Sequence, residues 1–208
     1  MRLAAALLVA LFGLGSQGAA GATATLDSID VQLIDRELVG VRSGASSVRI
    51  RLLKRERLRW MEARGTVAIA LTDRRFLALS STGSGWQEFR FAREDGEPVV
   101  RLGANLALCL TPKRIVHFAA GPGLLAETAM FPSEQVVASD LNEHVGSVVT
   151  GRRVLGFSSD ATRTAERRFF VQEAFESLST SAVTITVRTS QRLLVFKRSG
   201  GGWLEERF

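Results

Sequence analysis

The chain has 208 residues, 46% hydrophobic and 23% charged, with a formal net charge of +6. That composition is globular and excludes a disordered or collagen-like chain. The single cysteine, Cys109, excludes an intramolecular disulfide and any cysteine-based zinc or iron–sulfur site, and two histidines leave no His-rich metal centre; no metal and no cofactor is expected.

Only Lys54, Lys113 and Lys197 are lysines, so the positive charge is almost entirely arginine. The arginines are scattered and interleaved with acids, as in Arg55-Glu56-Arg57 and Glu166-Arg167-Arg168. A nucleic-acid binder concentrates its basic residues on one face, so no nucleic-acid partner is expected. The densest run, Arg49 to Arg59, holds six basic residues and one acid, Glu56; it reads as a solvated edge.

In chain order, Met1-Arg2 is a short positive region and Leu3 to Leu14 an apolar run. Small residues follow, with A-x-A sites at Ala20-Gly21-Ala22 and Ala22-Thr23-Ala24. This is the pattern of a cleaved secretory signal over residues 1–24. The run is too short for a membrane span, which takes about 20 apolar residues. The expected mature chain, 25–208, is therefore exported to a periplasm or beyond, has no integral membrane segment and is monomeric.

From there the chain repeats. Thr72, Thr111, Thr150 and Thr189 are spaced by 39 residues, and the same step relates Arg75, Arg114, Arg153 and Arg192. It also relates Leu79, Phe118, Phe157 and Phe196, and then Glu88, Glu127, Glu166 and Glu205. A degenerate copy precedes these four, with Ile34 at the Thr position and Glu37 at the Arg position. Repeats of this length are a signature of modular folds.

Within the second copy, Thr66–Thr72, Arg75–Ser81 and Trp86–Phe91 read as strands separated by the turns Asp73-Arg74 and 82–85. Val99–Leu102 reads as a short fourth strand of the same copy. No copy shows a sustained helical period with caps. Four short antiparallel strands in about 40 residues indicate an all-β fold, a five-bladed β-propeller forming one domain over 25–208. The last copy ends at Phe208 after its third strand. A strand near Ala22–Leu26 is therefore expected to close the last blade and protect its edge. An open array of sheets or a pair of sandwiches is the competing arrangement.

By resemblance, the mature chain is similar to β-propeller repeat proteins. Gly85-Trp86 and the glycines 200–202 before Trp203 are similar to the glycine–tryptophan turns of five-bladed tachylectin-type lectins. The likeness is confined to those residues, and no lectin binding residue is carried over.

If the first strand is innermost, Arg75, Arg114, Arg153 and Arg192 ring one mouth of a channel. There they either bind an anion in bidentate fashion or lock blade to blade. The Glu positions, judged to lie about 13 Å from the Arg of their own blade, are expected to pair with a neighbouring blade. Four equivalent glutamates do not suit acid–base catalysis, which needs carboxyls in distinct environments. Trp86 and Trp203 are candidates to stack on a sugar ring, or else to pack between blades. His117 reads as a core histidine and Cys109 as a small inert hydrophobe. His144, near Glu143 and Asp140, is a weak cation candidate. The functional expectation is a noncatalytic binding or scaffold module for a protein or envelope partner, with a glycan-binding module as the alternative and a glycosidase less favoured.

Overall fold

In a computed structural model, residues 28–44 and 47–208 are described. The expected signal segment, its cleavage sites and the Ala22–Leu26 strand lie outside them.

The described residues form five antiparallel sheets. The first holds β1 (Ile29–Ile34), β2 (Glu37–Arg42) and β3 (Val48–Arg51). The second holds β4 (Leu58–Arg64), β5 (Val67–Thr72), β6 (Arg75–Ser80) and β7 (Gln87–Arg90). The third holds β8 (Val99–Leu102), β9 (Leu106–Leu110), β10 (Arg114–Ala119) and β11 (Leu124–Ala129). The fourth runs β12 (Val136–Leu141), β13 (Val145–Thr150), β14 (Arg153–Ser158), β15 (Ala161–Arg168). The fifth runs β16 (Phe175–Thr180), β17 (Thr184–Thr189), β18 (Arg192–Lys197), β19 (Trp203–Arg207). Each is a meander in sequence order, the arrangement that short antiparallel connections favour.

Two expectations are corrected here. Val99–Leu102 does not complete the second sheet: it pairs with β9 and opens the third. The last sheet has four strands of its own, because Phe175–Thr180 supplies the one thought missing. The sheet boundary thus falls one strand earlier than the sequence reading placed it. The Thr-x-x-Arg turn joins the two middle strands of a sheet, not an innermost strand to its neighbour.

Each sheet packs face to face on the next in sequence; no substantial strand contact joins the first to the last among the described residues. The middle strands β5, β6, β13 and β14 are buried along their whole length. A strand covered on both faces must be apolar at every position rather than alternating, which is why Val67-Ala-Ile-Ala-Leu and Val145-Gly-Ser-Val-Val lack a period of two. Val67, Ile69 and Phe76 meet Cys109, Val116 and Phe118 between the second and third sheets. Leu106 and Leu108 meet Val148, Leu155 and Phe157 between the third and fourth.

The outward faces of the end sheets are different. Ile34 and Val41 are exposed on the first, Leu204 on the last. Ile34 and Glu37 stand there at the positions that are Thr and Arg in the four interior-facing copies, and Arg188 stands where the fourth sheet has Val149. The change to Arg188 is of the kind that lets an outer face meet water, whereas Ile34, Val41 and Leu204 keep those faces partly apolar.

The two ends of the strands differ too. At one end, turns of successive sheets are stitched by backbone bonds: Thr66 N–H to Ala104 O at 2.8 Å, Asn105 N–H to Glu143 O at 3.0 Å and His144 N–H to Ala182 O at 3.2 Å. A Cβ at Gly65, where φ is +59°, would lie 2.5 Å from Ala104 O, so only glycine allows that approach. The other end carries the Thr-x-x-Arg turns and the linkers between sheets.

Candidate functional site

The repeated arginines are not gathered at a channel mouth. Each sits in its own clamp, three of them, Arg75, Arg153 and Arg192, buried. Arg153, 2% exposed, shows the arrangement in full. Its Nε donates to Glu134 Oε1 at 2.9 Å and its Nη2 to Glu134 Oε2 at 2.8 Å. Nη1 donates to Glu166 Oε2 at 2.8 Å, and Nη2 also reaches the Ala129 carbonyl of the preceding sheet at 2.7 Å. The Phe131 ring covers the guanidinium, its centroid 4.1 Å away. Arg75 repeats this with Glu56, Glu88 and the Arg51 carbonyl. Arg192 repeats it with Glu173, Glu205, the Arg168 carbonyl and the Phe170 ring. The fork of the guanidinium suits a bidentate carboxylate, and such charge-assisted bonds are the strong ones.

The threonine completes the clamp. Thr150 Oγ1 accepts from the Arg152 and Arg153 N–H groups and donates to Glu134 Oε1 at 2.7 Å. A hydroxyl binding backbone two and three residues on shapes a tight turn, which explains why Thr and Arg recur at a spacing of three. On the linker, the second oxygen of Glu134 accepts the Phe131 N–H at 2.7 Å. Arg55, Ser133 and Gln172, each just before an acid, take φ of 64° to close this turn.

Burial alone would raise the pKa of the Glu134 carboxyl. The bonds from Arg153, the Thr150 hydroxyl and the Phe131 N–H outweigh it and hold the group below the usual carboxylate range. Glu56 and Glu173 are held down by the same balance.

The third clamp is looser. Asp95 replaces Glu, its turn is the short 3-10 segment Arg93–Asp95, and positive φ moves to Gly96. Arg114 binds Asp95 but is only partly covered, and Glu127 stands 3.6 Å away.

These contacts correct the expected geometry of the Glu positions. Glu88 pairs with Leu77 across the strands, not with Leu79, and so stands beside Arg75. The loop between β6 and β7 is longer than the four residues assumed, which slides the register by two. The buried acids at Glu56, Asp95, Glu134 and Glu173 were missed altogether. Their signal is in the sequence: the same 39-residue step, nineteen residues before each Arg. Glu134 and Glu173 lie in otherwise unremarkable linkers, Asp95 reads only as a loop acid, and Glu56 sits inside the basic run that reads as a solvated edge.

Trp86 and Trp203 also face inward. Their indole N–H groups donate to Val48 O at 3.2 Å and Ala165 O at 3.0 Å, in both cases on the last strand of the preceding sheet. Each ring lies against a glycine of that sheet, Gly40 or Gly156. The equivalent pairs at the other two interfaces are Ala78 with Leu125 and His117 with Thr164. A large residue on one sheet meets a small one on the other, and at the third interface the sizes are exchanged. His117 fills the space there, fully buried against Phe157 with ring centroids 5.0 Å apart. Among the described residues neither ring nitrogen makes a hydrogen bond of good geometry, and burial, only partly offset by the nearby Ala161 backbone, pushes its pKa down to about 4. Cys109 is buried, and burial raises its thiol to about 12.

His144 is not joined to Asp140. Its Nδ1 lies 3.2 Å from Ser159 Oγ, which donates to Asp160 Oδ1 at 2.9 Å, and Asp160 is held in turn by Arg198 of the last sheet. Ser159 is 1% exposed, and the network reads as a brace between sheets.

The linker end carries exposed apolar side chains. Val137, Phe170 and Val171 are exposed there, Val171 at 89%. Clefts open at this end, among them one of about 490 Å³ beside Phe170, Arg168 and Arg207 and two between linker and turn. One of about 680 Å³ is lined by Arg57, Arg59, Arg74 and Arg93 with Asp73 and Glu97. The other, about 440 Å³, is lined by Val99, Pro112, Met130 and Val136.

No protein-family model matches the chain, and no curated protein matches it. Solved structures similar to it include Hsv2 of Kluyveromyces lactis, 11% identical over 83% of this chain and 58% of that one, with a TM-score of 0.36. BamB from Moraxella catarrhalis is 16% identical over 86% and 58%, with a TM-score of 0.34. The WD40 domain of SCAP from fission yeast is 8% identical over 88% and 56%, with a TM-score of 0.36. The chain spans less than two thirds of the length of each.

Proposed function

We propose that this chain is a noncatalytic scaffold that binds another protein along its linker end, and that it works outside the cytoplasm. The observation that carries the reading is the exposed apolar side chains at that end: Phe170 and Val171 on the linker held by Glu173, and Val137 at the start of β12, just after the linker held by Glu134. Exposed apolar side chains on a rigid frame favour association because they lose little conformational freedom on binding. The repeated charged residues are committed to the frame, which leaves recognition to residues that differ from copy to copy. Export is supported by the signal pattern at residues 1–24.

A photo-crosslinking residue placed at Val171, and separately at Arg163 on a different part of the surface, tests the binding face in cells of origin. A discrete protein adduct from position 171 and none from 163 is the expected result. Equal labelling from both positions, or from neither, contradicts it. Mass spectrometry of the protein recovered outside the cytoplasm should give a start between residues 21 and 25; an intact Met1 on a cytoplasmic protein refutes export.

A further inference from the structure

The two clefts between linker and turn are the same notch in successive repeats. The basic one is lined by residues 57–59, 72–74 and 91–98, the apolar one by residues 97–99, 110–112 and 130–136. A shift of 39 residues carries half of the basic lining onto the apolar one. They share a wall at Glu97, whose carboxylate is tied to Arg59 at 2.8 Å. The shift exchanges Asp73 for Pro112 and Glu97 for Val136, both on the lining of the second notch, while Lys113 stands at the Arg74 position. Asp73 uses one oxygen on the Arg57 N–H at 2.9 Å. Counting Asp73 and Glu97 against the four arginines leaves an excess of two positive charges in the first notch. Arg57, Arg74 and Arg93 make no ion pair among the described residues. The second notch presents Val99 and Val136, 54% and 39% exposed.

We propose that these adjoining notches are one site for an extended acidic peptide segment of a partner protein. This rests on the scaffold reading and names what the partner presents. One or two carboxylates of the segment enter the basic notch, where unpaired guanidinium groups take them as bidentate acceptors. An apolar side chain farther along enters the second notch. Face-packed sheets lie about 10 Å apart and an extended chain rises about 3.3 Å per residue, so the acidic and apolar positions are roughly three residues apart. The charged notch also fixes direction, since reversal would place a carboxylate against Val99 and Val136.

The test uses the purified mature protein and fluorescein-labelled octapeptides carrying two adjacent acids and, three positions on, two apolar residues. Anisotropy titrations compare this peptide with versions in which the order is reversed, the acids become lysine, or the apolar residues become serine. Saturable binding of the first peptide, at least tenfold weaker for each alteration, is expected. Arg74→Glu with Arg93→Glu, and separately Val136→Asp, should each weaken it at least tenfold, while Arg163→Glu leaves it unchanged. Circular dichroism melts confirm that the variants fold. No saturable binding of any octapeptide overturns the proposal, as does equal binding of the reversed peptide. Binding instead to phosphatidylglycerol vesicles, lost with Arg74→Glu and Arg93→Glu, overturns it in favour of a lipid surface. If the octapeptides fail but crosslinking at Val171 still gives its adduct, the notch assignment falls and the scaffold reading stands.

Discussion

Replacing Glu134 by Leu should be among the most damaging single changes in the molecule. Its carboxylate accepts four bonds, two from Arg153, one from Thr150 and one from the Phe131 N–H. Both partners of the ion pair are almost wholly buried, with side chains 3% and 0% exposed. Removing one member leaves Arg153 charged against the remaining Glu166 alone, and breaking a buried pair in this way costs about 3–5 kcal/mol. For a domain of this size that lowers Tm by roughly 6–20 °C. Glu134→Leu combined with Arg153→Met removes both charges together, so it should be less damaging than either single change. The pair Glu127–Arg114 is the internal control: at 3.6 Å, with Glu127 57% exposed, Glu127→Ala should cost under about 1 kcal/mol. Differential scanning calorimetry of the four variants reads these differences directly. A Glu134→Leu protein within 1 °C of the parent, or a double variant that loses as much as both singles added, refutes the clamp as the element holding linker to sheet.

Three further outcomes follow from the packing between sheets. Thr164→Trp should be destabilising because His117 fills the space the indole needs, and His117→Gly should be destabilising through the cavity it leaves, by about 2–4 kcal/mol; the double variant recreates the arrangement of Gly156 with Trp203 and should recover at least half of the summed loss in a thermal melt. His117 has a folded pKa of about 4, below the unfolded value near 6.5, so the unfolded state binds the extra proton. Stability should therefore fall as pH drops from about 6.5 towards 4, by about 3 kcal/mol from this group, and His117→Leu should flatten urea denaturation across that window. Gly156→Ala places a methyl 2.9 Å from the Phe196 ring and 3.0 Å from Trp203 and should cost about 1–3 kcal/mol by overpacking; Gly85→Ala, where nothing lies within 4 Å, should be near neutral in the same assay.

The five-fold repeat, the strands around each Thr-x-x-Arg turn and the all-β class were legible because a step of 39 residues ties whole segments together. The sheet boundary was not. Val99–Leu102 is equally far from β7 and β9 in plausibility when only propensity is read, and the choice depends on packing that no local pattern encodes. The register of Glu88 was misjudged for a related reason, since two residues more or less in the Ser81–Trp86 loop move a side chain along the ladder by about 7 Å. The tryptophans show a different limit. Their partners Gly40 and Gly156 lie on the preceding sheet and only the pairing across sheets reveals that large meets small. Glu134 and its equivalents were readable in principle, at a fixed distance before each Arg, but an acid in a linker carries no burial signal of its own. The exposed row of Val137, Phe170 and Val171 likewise becomes informative only once the linkers are seen to share one end of the array.

The most direct test of the clamps is a carbon-detected NMR titration of the side-chain carboxyls. With folded pKa values depressed, Glu56, Glu134 and Glu173 contribute stability that is full above the unfolded glutamate pKa and is lost as pH falls through the folded values. All three should titrate below the ordinary glutamate range in the parent protein, and Glu134 should move upwards in Arg153→Met. A Glu134 that titrates in the ordinary range with Arg153 in place would contradict the account.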